Sequence, residues 1–589
     1  MKTKKIISAL FAVMFMCMIC VLFVSGATKP TLYESEDNYI YTLSDGKATI
    51  TSYNGVYDDV VIPPTVDGYP VVKIDDKAFY EDRTIIGVTI PDSVTEIGED
   101  AFHNCKSLKS VIISDSVTTI GEGAFGGCYA LSNVTIGKGV KTVGAFAFLG
   151  CNVTRVDITD LAAWCNIDFK GIYASPFSSD EEDKLYLNGE PITDLVIPDG
   201  VTRIGRCTFS GCKGLESVII PESITDIESG AFMGCDNLKN VYITDLAAWC
   251  KINFEAETSN PFFHADNLYL NGDIVTDLVI PESFTTIGNY TFAGCESITS
   301  VVMSDNVTLI GDGAFISCGL ITSLTISKSV TTIGEGAFCG CTGLTSLTIP
   351  NSVKTVGNNA FASCTELRSL IISDSVTEIG DYAFNDCARL KSLTIPDSVT
   401  KIGDGAFAKC INLNNVVIPD SVTSLGENAF YHCLSLSSVT VGNGITSLSS
   451  HFYDCIKLKT ITITKNITSI DINYFKSIPL ETLYFKGTQS EWESMSYSGD
   501  TIFKNVKVLP ICLGEHIYDD ENDLICNSCE FEREIIEEET TSEPQTTDLS
   551  TIEDSTSNNK ATLIITVIAT IGIGAVVVAV IVTAKKKKE

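Results

Sequence analysis

A phenylalanine returns every 23 residues along most of this chain. It stands at Phe79, Phe102, Phe125 and Phe148, then at Phe209 and Phe232. It resumes at Phe292 and runs through Phe315, Phe338, Phe361, Phe384, Phe407 and Phe430 to Phe452, one residue early, and Phe475. A fixed period of this length marks a solenoid, in which stacked equivalent coils share one continuous core. The repeat overrides the rule that divides length into domains, so the 589 residues are expected to hold one long repeat domain. A stack of equivalent coils is built as a surface, which weighs against catalysis.

Leu344 to Glu366, LTSLTIPNSVKTVGNNAFASCTE, shows one coil. Leu347 and Ile349 alternate with Thr348, the period of a short strand with one buried face, and Pro350-Asn351-Ser352 ends it. A second extended piece, Val353 to Val356, stops at Gly357. Ala360-Phe361 with Cys364 three residues on is expected to form a single helical turn leading to the next coil. A lone coil buries too few side chains to offset the entropy of ordering its backbone, so stability must come from parallel pairing between neighbours. Both ends of such a stack need caps, expected at 39–72 and 480–510.

The unit L-xx-L-x-IP-xx-V-xx-IG-xxx-AF-xx-C resembles the BspA-type (Treponema-type) leucine-rich repeat of bacterial and protist surface proteins, over roughly residues 39 to 510. The opening YTLSDGKATITSYNG and VVIPPTVDGYPVVKIDDKAF resemble the usual first repeats of that family. The resemblance implies a repeat solenoid, a leucine-rich-repeat-like parallel β superhelix that is mostly β and turn, displayed at the cell surface as an adhesin or host-binding module. It carries over no binding residue.

The period lapses twice, and both lapses hold the same insert, at about 159–197 and 244–280. Thr159-Asp160-Leu161-Ala162-Ala163-Trp164-Cys165 recurs as Thr244-Asp245-Leu246-Ala247-Ala248-Trp249-Cys250, with Thr-Asp as the N-cap of a short helix. A Leu-Tyr-Leu-Asn-Gly strand and turn and a Thr-Asp-Leu-Val-Ile-Pro partner strand follow each. Trp492 occupies a similar setting. Leu161, Trp164 and Ile167 at helical spacing favour a helix that plugs the core over a protruding ligand-gripping loop.

Outside the repeats, residues 1–27 read as a secretory signal, with a retained anchor as the competing reading. The solenoid is assigned 28–510, a small Cys/His module 511–533, and a Glu-, Ser- and Thr-rich disordered stalk 534–560. Residues 561–584 are uncharged and long enough for one C-terminal transmembrane helix, and the basic tail 585–589 is expected to remain cytoplasmic. The expected location is therefore a single-pass cell-membrane protein with an extracellular N-terminal ectodomain. A formal charge of -34 argues against a nucleic-acid partner.

Thirteen of the 22 cysteines stand three residues after a coil phenylalanine, from Cys105 to Cys455, and read as buried thiols rather than disulfides. Cys512, His516, Cys526 and Cys529 form a different group, C-x3-H-x9-C-x2-C, open to a structural zinc, to disulfides or to free thiols. No cofactor is otherwise required. The histidines are scattered singly without a nucleophile motif and read as solvated surface, so no catalytic residue is assigned and the chain is read as non-enzymatic. Aspartates before Ser-Val, such as Asp115 and Asp420, read as turn formers rather than calcium ligands.

The middle residue of each first strand should point outward, in a column running from Thr89 and Ile112 to Thr462 and Tyr484. β-propensity alone selects such a Thr-, Val- and Ile-rich column, yet it is also where a macromolecule would dock. Tyr242, Tyr484, Ile371 and Val417 are its candidate ligand contacts. The leading expectation is a recognition or adhesion protein binding an extracellular protein or glycan through this face, and the alternative is an envelope stalk or spacer without a ligand.

Overall fold

The computed structural model describes residues 31–497, apart from 56–57, 178–183 and 476–477, together with the backbone of 507–510, 562–569 and 576–583. Residues 1–533 form one compact unit and 534–589 another. The first unit is a parallel β-solenoid of about 19 turns, made mostly of strands and turns. The fifteen phenylalanine coils undercount it because the inserts contribute steps of their own, Lys184–Leu187 and Asn267–Leu270, which pair in parallel with the strands before them.

A full coil contributes to three stacked ladders. The first strand, for example Ser110–Ile113, pairs in parallel with Gly87–Ile90 and Asn133–Ile136. The second strand has two residues, as in Glu96–Ile97, Thr119–Ile120 and Thr142–Val143. The third ladder runs through the Ala-Phe turn, where Phe102 N–H donates to Ala124 O at 2.7 Å and Phe125 N–H to Ala147 O at 2.8 Å. That bond explains why the expected helical turn is absent. The phenylalanine amide is spent on the next coil, and left-handed residues such as Asp100 (φ 54) and Asn104 (φ 61) bracket it as turns.

Between the ladders lies the core. Phe315 and Phe338 stack with centroids 5.2 Å apart and planes 3° off parallel, and the same stack runs from Phe292 to Phe452. The Ile-Gly glycine permits this closeness: a Cβ on Gly121 would lie 2.5 Å from the Gly98 carbonyl carbon. Ladder cysteines are free, buried thiols, and in the regular coils the Sγ donates to a phenylalanine carbonyl one coil back, as Cys128 does to Phe102 O at 3.1 Å, whereas Cys295, just after the second insert, meets Ser297 Oγ instead. The position therefore takes a small side chain that is apolar in bulk yet still a donor.

An antiparallel hairpin, Tyr39–Ser44 with Lys47–Tyr53, closes the N-terminal end, and Tyr39 and Tyr53 continue the ring stack onto Phe79. Toward the other end, Thr482–Lys486 pairs with Thr460–Thr464 and with Lys507–Pro510. Trp492, on the helix Gln489–Glu493, meets Phe485 edge-on at 5.5 Å.

The inserts are core plugs. Asp160 Oδ1 accepts Ala163 N–H at 2.9 Å and Asp245 Oδ1 accepts Ala247 N–H at 2.5 Å, so each aspartate caps a single short helix. Trp164 is buried edge-on to Phe169 and Phe177, and Trp249 packs against Phe254 and Phe262. Each insert then ends the first-strand sheet in a small hairpin, Lys184–Leu187 with Glu190–Pro191 and Asn267–Leu270 with Asp273–Ile274.

In the second unit, Thr562–Ala569 and Val576–Thr583 pair as antiparallel strands, with Thr562 opposite Thr583. This corrects the expected helix over 561–584: no helix among the described residues is long and apolar enough to cross a membrane. The segment is dominated by Ile, Val and Thr, which lose side-chain freedom in a helix and favour strands, and Gly572 and Gly574 interrupt it.

Candidate functional site

Alternation within each first strand buries the flanking residues and turns the middle one outward, and parallel register aligns those middle residues from coil to coil. Ile112 lies opposite Thr89 and Thr135, and Thr135 opposite Asp157. Apolar members stand out into solvent: Ile371 is 57% exposed and Val417 61% exposed. Tyr242 and Tyr484 are half-buried. The four sequence candidates share this row but not one cluster. Tyr242 belongs to the sheet of the second insert and Ile371 to a separate two-stranded sheet. Val417 and Tyr484 are joined through Thr440 and Thr462, three ladder steps or ~14 Å apart.

The structure adds residues that the 23-residue count passes over. Tyr269 stacks on Tyr242 with centroids 4.7 Å apart and planes 22° off parallel, which is why Tyr242 is only half exposed. At the first insert, Tyr186 lies opposite Asp157, and the Arg155 guanidinium sits 3.9 Å from its ring centroid. Asp157 holds that guanidinium through two bonds, Nε to Oδ2 at 2.7 Å and Nη2 to Oδ1 at 2.8 Å, which raise the pKa of Arg155. Both tyrosines come from the Leu-Tyr-Leu-Asn-Gly motif. Its recurrence was the available signal, but it sits off the phenylalanine period. Val196 and Val279, the outward residues of the strands after each hairpin, are exposed and belong to the same row.

Among the described residues no three His, Cys, Asp or Glu side chains are placed to hold a metal ion. Cys512, His516, Cys526 and Cys529 lie outside the described residues. Asp420 Oδ1 accepts Asn443 N–H at 2.8 Å, and Asp115 accepts Lys138 N–H at 3.1 Å, so these turn aspartates serve the backbone of the next coil. His103 and His432 are partly exposed and paired with Asp100 and Asp454. His451 departs from the solvated-surface expectation. It is buried, its Nδ1 accepting Ser449 N–H at 3.0 Å and its Nε2 lying 3.1 Å from Leu425 O, because Phe452 arrives one residue early and this turn is remade. Burial lowers the His451 pKa. Burial likewise pushes thiols up, Cys410 to about 12, leaving almost no thiolate for nucleophilic chemistry.

The family model for the BspA type leucine rich repeat region matches residues 60–170, 182–258, 265–391 and 377–504 in 6 copies. Among solved structures, a leucine-rich repeat protein from Bacteroides ovatus is 28% identical, covering 72% of this chain and 98% of its own, with a TM-score of 0.39. A leucine rich cell surface protein from Faecalibacterium prausnitzii is 25% identical over 81% of this chain and 100% of its own, with a TM-score of 0.30. The T. pallidum leucine rich repeat protein is 27% identical over 36% of this chain and 81% of its own, with a TM-score of 0.24. No curated protein matches. The matched stretches span well over half of the residues, and the chain belongs to the BspA-type leucine-rich repeat family, repeat proteins typical of cell surfaces and protein interaction.

Proposed function

We propose that this chain is a cell-surface, non-enzymatic recognition or adhesion protein that binds a partner protein through the outward row of its first strands. The observation that carries the reading is the row itself. Exposed Ile and Val side chains take the same outward first-strand position, across several sheets, as a stacked Tyr242–Tyr269 pair and the tyrosine of an Arg155–Tyr186 pair. Apolar and aromatic groups held rigidly by a sheet lose little entropy on contact. The uncharged run 561–584 followed by Lys585 to Lys588 supports tethering of the chain at a membrane.

Immobilised full-length chain should retain a saturable protein partner from extracellular or host-surface extracts. Tyr242→Ala and Tyr484→Ala should each weaken that capture about tenfold. Absence of any saturable partner favours the spacer reading. Deletion of 561–589 should release the chain from the membrane fraction, and retention would remove the tether from the proposal. Cys512, His516, Cys526 and Cys529 are proposed as a structural staple, and metal content of the purified, reduced chain decides for or against zinc.

A further inference from the structure

On the turn row, away from the first-strand face, four tyrosines converge near the C-terminal end of the solenoid. Tyr382, Tyr431, Tyr453 and Tyr474 line an open trough of about 570 Å³, within the range of small-ligand sites. Tyr431 and Tyr453 stack with centroids 5.8 Å apart, and Tyr474 stands edge-on to Tyr453 at 6.1 Å and 84°. Tyr453 and Tyr474 thus make a floor and a wall, and both, like Tyr382, remain exposed.

The repeat does not require these side chains. Tyr382 has a left-handed backbone (φ 54) at a coil position that is left-handed in most coils, held by glycine at Gly313, Gly336 and Gly405 and by small or polar residues such as Asp100 (φ 54) and Asn359 (φ 53) in others, so the turn does not call for a tyrosine. Its ring lies flat over the next coil's Gly405, where a Cβ would come within 2.4 Å of it. Tyr474 replaces the small buried alanine that precedes the phenylalanine in most coils, and it turns outward instead. Asn428, also at a glycine position (φ 56), faces the trough with Asn385. Aromatic and amide groups are thus gathered at one open surface where the repeat elsewhere manages with glycine or alanine, and that concentration points to a ligand.

We propose that this trough binds a neutral oligosaccharide. Exposed ring faces suit the C–H faces of pyranoses. Asn385, Asn428, Glu427 and Lys409 supply donors and acceptors beside the rings, as hydroxyl groups require. Charge selects within that class. Among the described residues that line the trough, Lys409 and Glu427 are the only charged side chains and they offset each other, although the whole chain carries -34.

The test uses the full chain in detergent and saturation-transfer NMR with neutral tetrasaccharides of glucose, N-acetylglucosamine, galactose and mannose. At least one series should bind saturably, with transfer strongest to ring C–H protons. Tyr453→Ala and Tyr474→Ala should each weaken it about tenfold or more, while Tyr453→Phe retains it within about threefold. Unchanged circular dichroism shows that the variants fold. Tyr242→Ala, on the other face, should leave sugar binding intact, so this site and the first-strand reading can fail separately. The proposal is overturned if no series binds, if the alanine variants bind normally, or if only choline or a proline-rich peptide occupies the trough.

Discussion

Cys128 shows what a single repeated position does. Its Sγ donates to Phe102 O, its amide meets Phe125 O at 3.2 Å, and it packs in a core with no room to spare. At Cys128 the Cys105 bond favours the thiolate but is outweighed by the Cys151 bond and burial, and at Cys387 burial keeps the thiol protonated. An aromatic disulfide reagent followed by mass-spectrometric mapping should therefore leave ladder positions such as Cys128 and Cys387 unlabelled in the native chain. Cys339, which alone among the described thiols is partly exposed, should label before them, and all should react in urea. Early labelling of a ladder thiol would show that the coils open at that level. His451 makes a prediction of opposite kind. Burial lowers its folded pKa, only partly countered by Leu425 O, Glu427 and Asp404. The folded chain then binds this proton less readily than the unfolded chain, whose imidazole titrates at ~6.5. The stability it contributes is full above that value and drains as pH falls toward the folded pKa. The urea midpoint of the C-terminal coils should drop between pH 7 and pH 5, and His451→Gln should flatten that slope. An equal slope in the variant would remove His451 as its cause.

The two insert helices share one sequence motif and differ in how they are bonded. Trp249 Nε1 donates to Thr291 O at 3.0 Å, and Asn260 Nδ2 reinforces the same turn through Tyr290 O at 2.7 Å. Trp164 Nε1 is buried with no partner among the described residues, and Ser175 stands where Asn260 would, bonding Ser210 O instead. Trp249→Phe should accordingly cost ~1 kcal/mol more than Trp164→Phe, which removes an unmet donor along with its ring volume. Chemical denaturation of the two variants measures the difference, and equal losses would mean that Trp164 Nε1 is hydrated. Much at this scale was legible in the sequence: Thr-Asp before an amphipathic turn gave the caps, and Leu161 with Trp164 at helical spacing gave the buried face. The Ala-Phe turn was not, because its ladder bond runs to a residue 22 positions away and no local propensity encodes that. The tyrosine trough was hidden for a related reason. Tyr431 and Tyr453 follow their coil phenylalanines, Tyr382 stands two before its own and Tyr474 one before, so these four tyrosines fall on three coil positions and a search for periodicity averages them away. The outward row was visible because it keeps the period, while Tyr186 and Tyr269 were missed because they leave it.

Taken along its whole length, the solenoid is a chain of nearest-neighbour couplings whose strength varies in a definite pattern. Wherever one strand row is interrupted within the regular coils, the other continues. Glu378–Lys401–Ser424, for example, bridges the gap between the first strands Ser369–Ile372 and Asn415–Ile418. Among the described residues both rows stop together only at the inserts. Asp168–Phe169 and Glu190–Pro191 end their sheets before Asp194–Val196 and Arg203–Ile204 begin new ones, and the second insert repeats the break. The coupling that remains at the first boundary includes Gly205 N–H to Cys165 O at 2.7 Å and Ser175 Oγ to Ser210 O at 3.0 Å. At the second, Trp249, Asn260 and the Ser297 bonds to Leu268 N and Asp266 O join across. Three cooperative blocks are therefore expected, approximately 33–191, 194–274 and 277–510, with the first boundary weaker than the second. Hydrogen exchange along a urea series should show protection lost in steps that begin and end near 188–194 and 271–277, the N-terminal block separating first. Trp249→Phe should move the second step to lower urea and leave the first in place, since it cuts a bond that crosses only that boundary. One common midpoint for all amides from 39 to 486 would mean that the plugged core, rather than the strand rows, transmits cooperativity between coils.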